Sequence, residues 1–471
     1  MTGSKRAFLA ISARGKPAPL ASCSDSSEPG SLIREPLELS ASANEYARIA
    51  AWLAKGARKL LPIFVLCPLI PLAIGCGSSS PGNSPHISLT QLDHGEEIWG
   101  IVKLTARVNG NDISGVKFYW DSVESAHLIA AVPQSNSKYT ANLYTQDLPN
   151  GEHTLYAVAT NGDGQTAQDS VRVNIANVSR AEAIPSKAIK MTPALDPHPP
   201  QLEPAFRRFW EDPVPLGPPI NTAGGEDSPF ITPDGQDFYF WFTPDVNIPP
   251  QNQVYDRVTG IYRSKRANGQ WTEPERVFLT YYDEPSLDGA HTVWDSELWF
   301  GSARAGNYRD LDIWIAKLTD GHWSNWVNAG ERLNREIEIG ELHITADGTE
   351  IYFDSSRAGG KGGKDIWVTR KVNGEWQAPE PIDAVNTKDS EGWPFISEDG
   401  NELWFTRIRG APEIWRSARI EGKWQAPEKV LSPLAGEPTL DREGNLYFVH
   451  HYWDDTANKM IEADFYMCRR K

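Results

Sequence analysis

Cysteine is scarce, with four residues in 471: Cys23, Cys67, Cys76 and Cys468. Two of them fall in an N-terminal stretch that reads as processed, so no internal disulfide is available to hold the fold. No metal-ligand spacing surrounds Cys468, which reads as a small packed residue of the last strand. Positive charge is also in short supply: 46 Lys and Arg face 62 Asp and Glu, a formal net charge of −16. A surface of that sign repels phosphate backbones, which removes nucleic acid from the expected partners and leaves cationic ligands and divalent metals. The chain has no HExxH, no G-x-S-x-G and no phosphate-cradling glycine loop at a strand-to-helix junction, so the chemistries those motifs carry lack their residues. Long apolar runs are missing too; the longest, about fifteen residues from Leu60, is short for a membrane-spanning helix.

That run lies in KGARKLLPIFVLCPLIPLAIGC, residues 55–76, where Lys55, Arg58 and Lys59 precede the apolar stretch in the layout of a secretory signal. Its end, Ala73-Ile74-Gly75-Cys76, resembles a bacterial lipobox, which implies lipidation of Cys76 as the mature N-terminus. The following GSSSPGNS suits a flexible tether over 77–85. Residues 1–54 read as disordered or as an over-extended gene start. Without residues 1–75, 37 basic residues face 57 acidic ones. The expected location is the bacterial cell envelope, lipid-anchored; Gly77 stands where an Asp would signal inner-membrane retention in enteric lipoproteins, so the outer membrane is the expected home.

What the chain has in excess is aromatic residues and turn formers: 18 Trp, 15 Tyr and 16 Phe beside 38 Gly and 35 Pro. Between Gly340 and Thr387, runs rich in Tyr, Phe, Trp, Ile and Val are cut by Asp-Gly, Gly-Gly and Asn-Gly at hairpin spacing, which predicts four consecutive strands. The frame recurs. The first aromatic of each third strand is Tyr262, Trp314, Trp367, Trp415 and Tyr466, at separations of 52, 53, 48 and 51 residues. A Trp after a Gly turn keeps step at Trp271, Trp323, Trp376 and Trp424, and the fifth copy lacks it. The missing piece stands upstream, where Trp210, Pro213 and Pro215 match Trp376, Pro379 and Pro381. The spacing therefore predicts a five-bladed β-propeller over 209–471, closed by strand exchange between its two ends, which removes free sheet edges. Most of the Trp then read as wedges between blades, with sugar-stacking platforms as the other reading.

The segments ITPDGQDFYF (231–240), ITADGTEIYF (344–353) and ISEDGNELWF (396–405) resemble the WD40-like, or PD40, propeller repeats of TolB. The resemblance implies the fold and says little of function, because propellers host binding and catalysis alike. Two copies depart from it: TVWDSELWF (292–300) has no Asp-Gly turn and LDREGNLYF (440–448) carries Glu-Gly. The family protein has six blades, against five copies here.

Upstream, residues 86–176 alternate apolar and polar side chains through Val102, Leu104, Ala106 and Val108, then Val116, Phe118 and Trp120, then Leu155, Ala157 and Ala159, then Val171, Val173 and Ile175. That pattern predicts about seven short strands in a β-sandwich. LPNGEHTLYAVATNGDG (148–164) resembles bacterial Ig-like domains through Leu148, Gly151, His153, Leu155, Ala157 and Ala159, which implies a spacer or adhesive unit. Residues 177–208, with PALDPHPPQLEP, read as an extended, semi-rigid linker between two independent cores.

In a four-stranded antiparallel blade the start of the first strand, the end of the second and the start of the third share one face. Glu226, Asp227, Glu284, Asp288, Glu341, Glu391 and Glu437 fall on that face, with His291 and His343 in or beside the channel that first strands line. Arg304, Arg357 and Arg409 come near the ends of second strands, and Asp312, Asp365, Glu413 and Asp464 open third strands. One reading makes these residues pins repeated with the blade, Arg357 and Asp365 holding the ends of the AGGKGG loop. The other makes the carboxylates a cation or polyhydroxy-ligand site, for which Ca²⁺ is suited by its loose oxygen coordination; no other cofactor is expected. The favoured function is a non-catalytic binding or scaffold module for an envelope protein or glycan. The alternative is a carbohydrate-active hydrolase or lyase with an acid–base pair at the channel mouth.

Overall fold

A computed structural model describes residues 84–471. The signal region 55–76 and Cys76 lie outside the described residues. No helix among the described residues is long and apolar enough to cross a membrane. The chain divides into two compact units: one ends at Val178 and includes Thr280–Pro285, and the other comprises Ser179–Leu279 and Ser286–Lys471.

The first unit is a sandwich of two sheets. His86–Thr90, Ile101–Asn109 and Lys138–Tyr144 form one; Glu96–Ile98, Thr166–Ile175, Gly151–Asn161, Ile113–Trp120 and Leu128–Pro133 form the other. Because successive strand side chains point to opposite faces, Val102, Leu104, Ala106 and Val108 meet Leu155, Ala157, Ala159, Val171 and Val173 in one buried core. The eighth strand, beyond the seven the pattern predicts, is the short Glu96–Ile98, which pairs in parallel with Thr166–Ile175. His153 is a structural clip, with Nδ1 2.9 Å from Asp121 and Nε2 2.9 Å from the Pro149 carbonyl. Thr280–Pro285 adds to this unit through Tyr282, whose N–H donates to Ile101 and whose hydroxyl donates to Glu96.

The second unit repeats one frame five times. Its first strands are Gly225–Ile231, Leu287–Trp294, Leu342–Ile344, Ser390–Ile396 and Ala435–Leu440. Each pairs antiparallel with a second strand, which pairs with a third. The Asp-Gly motif makes the first turn: Asp234, Asp347 and Asp399 accept from Thr232, Thr345 and Ser397 at 2.6, 2.7 and 2.6 Å and from the backbone N–H two residues on. Gly235, Gly348 and Gly400 come next at φ 69°, 69° and 72°, a conformation that favours glycine. The first strands touch one another in cyclic order, repeat one contacting both repeat two and repeat five. No sheet among the described residues closes on itself; each repeat builds its own, except that repeats one and five join where Gly225 pairs with Ala463.

The upstream segment pairs with the last strand, Lys459–Cys468. Val214 and Pro215 face Met467 and Tyr466, and Trp210 bridges Arg470. Asn221 exchanges hydrogen bonds with the backbone of Phe465 at 2.9 and 3.1 Å, the same reciprocal clip that Asn386 makes to Ile366 at 2.9 and 2.8 Å. Trp210 is buried against the edge of Trp404, and its indole N–H donates to the Gly444 carbonyl.

The region read as an extended, semi-rigid linker is instead strapped along repeats one, four and five. Lys190 pairs with Glu462 and Asp464, Asp196 meets His450 at 2.8 Å, and Gln201–Leu202 adds a strand beside Glu428–Ser432. Arg180 is buried; its guanidinium donates to the Ile220 and Pro219 carbonyls, lies 3.5 Å from Glu226, and covers the rings of Phe240, Phe242 and Tyr262. The physical reason is a gap in the frame: Pro244 occupies in repeat one the place that Arg304 holds in repeat two.

Burial raises the Glu226 carboxyl to about 8 even beside Arg180, so at pH 7 Arg180→Met leaves a protonated acid and two carbonyls, of Ile220 and Pro219, without their donor, at a cost of about 1–3 kcal/mol in urea unfolding of this unit. The loss grows as pH rises through about 8, because Arg180 no longer favours the ionised form of Glu226. A loss that does not change with pH would refute the pairing. Trp210→Ala costs about 3–5 kcal/mol through the cavity it leaves, read from the same unfolding midpoint.

Candidate functional site

In four repeats the first strand breaks register with the second, between Asp227 and Phe230, Gly289 and His291, Gly392 and Phe395, and Gly436 and Thr439. Ser228, Ala290, Trp393 and Glu437 occupy these bulges at φ 53°, 45°, 52° and 55°. A left-handed conformation costs an L-residue about 1–2 kcal/mol. Four repetitions of that cost mark the bulge as a device that re-aims side chains. Glu341 holds the same frame position in repeat three.

The five repeats converge here. Ser228, His291, Glu341, Trp393 and Glu437, one from each repeat, line a cavity of about 50 Å³. Glu341 and Glu437 are each 7 % exposed and His291 8 %, yet one oxygen of each Glu and both nitrogens of His291 have no hydrogen-bond partner among the described residues. Buried polar groups of folded proteins are normally satisfied, so these atoms call for an explanation. Asp227 stands where the other repeats carry Gly289, Gly340, Gly392 and Gly436. Its carboxyl interacts with that of Glu437 and lies 4.0 Å from Nε2 of His451.

Burial sets the protonation of this group. Loss of solvent raises the Glu341 carboxyl to about 8, with Asp354 adding to the shift, and raises Asp227 to about 7. Glu437 is pushed well above the usual carboxylate range by burial and by the charges of Asp227 and Glu341. The same desolvation pushes His291 down to about 4 and His343 to about 3, which keeps both rings neutral at pH 7.

The other acidic candidates lie elsewhere. Asp288 binds Arg304 at 2.7 Å and Ser302 at 2.6 Å; burial works against its charge, and Arg304 and Ser302 still hold it below its usual range. Glu391 accepts from Arg407 at 2.7 Å and from Thr387, while Glu226 accepts from Thr222 beside Arg180. These three are buried pins two frame positions ahead of the bulge. Glu284 is exposed within Thr280–Pro285, in the other unit, and joins no group with the rest. Arg407, not Arg409, partners the repeat-four pin, and Arg409 binds Asp389. Asp365 does hold the Gly-rich loop, through the N–H groups of Lys361 and Gly362, whereas Arg357 donates to the Ile337 carbonyl.

A second cavity, of about 900 Å³, shares Phe230, His343 and Phe395 with the small one. The His343 ring sits 5.9 Å from Phe230 and 4.5 Å from Phe395, a collar between the two spaces. Asp234, Asp295, Glu398, Asp399, Glu402, Asp441 and a single cation, Arg442, stand on the wall of the wider one. No group of three His, Cys, Asp or Glu among the described residues is placed to hold a metal ion.

Sequence reasoning did not single out Trp393 or Ser228 for this site. Aligning the copies on Ile231, Ile344 and Ile396 puts both in one column with Glu341, and that column was the available signal.

The family model of the bacterial Ig domain matches residues 85–157, within the sandwich. Comparison with curated protein sequences gives no match. Among solved structures, the chain is similar to an endo-β-1,4-mannanase from Thermotoga petrophila at 20 % identity and TM-score 0.17, covering 20 % of each chain, so it spans a fifth of that protein. It is similar to a gluconolactonase from Xanthomonas campestris at 12 % identity and TM-score 0.33, over 58 % of this chain and 95 % of that one. A neuraminidase-like protein of the bat influenza virus H18N11 matches at 9 % identity and TM-score 0.32, over 56 % and 93 %.

A carboxyl raised on folding takes up protons, so its contribution to stability is present below its ordinary value and is lost as pH rises through the folded one. The buried histidines act oppositely and only below about 6.5. Thermal stability therefore falls as pH rises from about 6.5 to the Glu341 value of about 8. Glu341→Gln flattens this slope and raises Tm at the alkaline end, measured by differential scanning calorimetry. An unchanged slope in the variant would contradict the burial of a raised Glu341.

Proposed function

We propose that the chain is a non-catalytic binding protein of the bacterial cell envelope, lipid-anchored through Cys76, whose Ig-like domain is a spacer. In this reading the five repeats are a PD40-type propeller with five blades, closed where the segment around Trp210 completes the last sheet, and the propeller is the binding module for an envelope protein or glycan. Support for the closed ring comes from the cyclic contact of the first strands and from the pairing of Val214 and Pro215 with Met467 and Tyr466.

The observation that carries the binding reading is the axial chamber, to which every repeat delivers one residue and where Glu341, Glu437 and His291 keep unpartnered polar atoms. Each such atom costs about 1–3 kcal/mol, which a ligand supplying the missing partner recovers. Two observations weigh against glycoside hydrolysis. A cavity of about 50 Å³ accommodates a few water molecules rather than a sugar ring. The Asp227 and Glu437 carboxyls interact directly, whereas the pair of a retaining glycosidase stands about 5 Å apart and that of an inverting one farther.

The protein is used as bait on solubilised envelopes, beside the Glu341→Gln/Glu437→Gln double variant. The expected result is a partner retained by the native protein and lost by the variant, with no turnover of polysaccharides by either. Polysaccharide cleavage that disappears in the variant would establish the enzyme reading instead. Cys76→Ser is expected to move the protein from the membrane to the soluble fraction.

A further inference from the structure

We propose that the axial chamber takes the primary ammonium end of an aliphatic amine. The proposal rests on the reading above, that the chamber is the binding site, and gives its ligand a chemical class. The chamber offers acceptors: a free oxygen on Glu341, another on Glu437, and the unprotonated one of the two unpartnered nitrogens of the neutral His291 ring. No Lys or Arg lines it. An alkylammonium brings three N–H donors, no acceptor and one positive charge, which is the complement of that set. All three residues are more than nine-tenths buried, so bulk water does not supply the missing donors.

The walls agree. Phe230 and Phe395 line the chamber, and aromatic faces attract a desolvated cation; the Trp393 ring already takes the Lys364 ammonium at 4.8 Å in just this way. The Phe230, His343 and Phe395 rings stand between the wide cavity and the small one and line both. The wide cavity carries six carboxylate residues against Arg442, and an acidic vestibule concentrates cations at its mouth. A divalent metal fits less well, because it requires several oxygen ligands at once and no three candidate ligands are so placed among the described residues. Entry of the cation ionises carboxyls that are protonated in its absence, so protons leave as the amine binds.

A primary ammonium reaches such a site either as a free diamine or as the lysine side chain of a partner protein. Isothermal titration of the purified protein with 1,4-diaminobutane and with Nα-acetyl-lysine methylamide separates the two. The neutral controls are 1,4-butanediol and Nα-acetyl-norleucine methylamide. Saturable binding of at least one amine is expected, weaker by about tenfold or more in Glu341→Gln and in Glu437→Gln, absent for the neutral controls, and tightening as pH rises. Tighter diamine binding assigns a free polyamine; tighter binding of the lysine derivative assigns a partner's side chain. Ser228→Phe, at the bulge position that carries Trp393 in repeat four, fills the chamber without altering a charge; it is the second variant and is expected to block binding. No amine binding at millimolar concentration, equal binding of a neutral control, or indifference to the Gln and Phe variants would overturn the proposal. Partner capture that depends on Glu341 and Glu437 without any amine binding would refute the ammonium and leave the binding reading standing.

Discussion

Everything in the repeat unit depends on bringing a cation to buried acid beneath the first strands. Asp288 has Arg304 and Glu391 has Arg407, each guanidinium also lying over the aromatic rings of its own repeat. The two end repeats have no such residue of their own. Arg180 supplies the charge to repeat one and Lys190 supplies it to Glu462 and Asp464 in repeat five, both from the strap that precedes the first repeat. A buried carboxylate without a counter-charge is among the costliest defects a fold can hold. The strap is therefore part of the repeat unit's core, and its proline-rich composition serves to lay an extended chain along a surface.

With the first strands held from below, the bulges can bear strain. Each places a non-glycine residue in the left-handed region and turns the next side chains of the strand toward the axis. In repeat four that residue is Trp393, a bulky side chain for which this conformation is rarely adopted without compensation. The compensation is local over-determination: the strand on either side of each bulge is paired, and the pins fix where the strand begins. The same arrangement delivers five side chains of different chemistry to one point, which a repeat of identical modules would not need if the axis were only packing.

Legibility in the sequence tracked the range of the interaction. The Asp-Gly turns, the aromatic period and the Trp210 segment were readable because each is a local motif whose chemistry is fixed by its neighbours; Asn221 and Asn386 even make the same clip. The division of the acids into pins and chamber residues was not. A one-residue bulge shifts the side-chain alternation, so Glu391 and Glu437, alike as acids at the head of a strand, end on different faces. Glu284 was misplaced because Thr280–Pro285 leaves the repeat frame altogether. Arg180 and Lys190 carry no motif, and only Pro244, standing in an arginine's place, hints that repeat one needs a cation from outside.

The chamber's charge state is a consequence of crowding. Asp227, Glu341 and Glu437 each raise the cost of ionising the next, and burial leaves no water to spread that charge. With nothing bound, the stable arrangement near neutral pH keeps protons on the carboxyls and leaves the histidines neutral, so the axis carries little charge although it is built from acids. A cation arriving there exchanges for a proton and leaves the local charge almost unchanged. The site is thus tolerable to the fold both empty and filled, and this tolerance explains how a chain already rich in negative charge can keep three carboxyls at its centre.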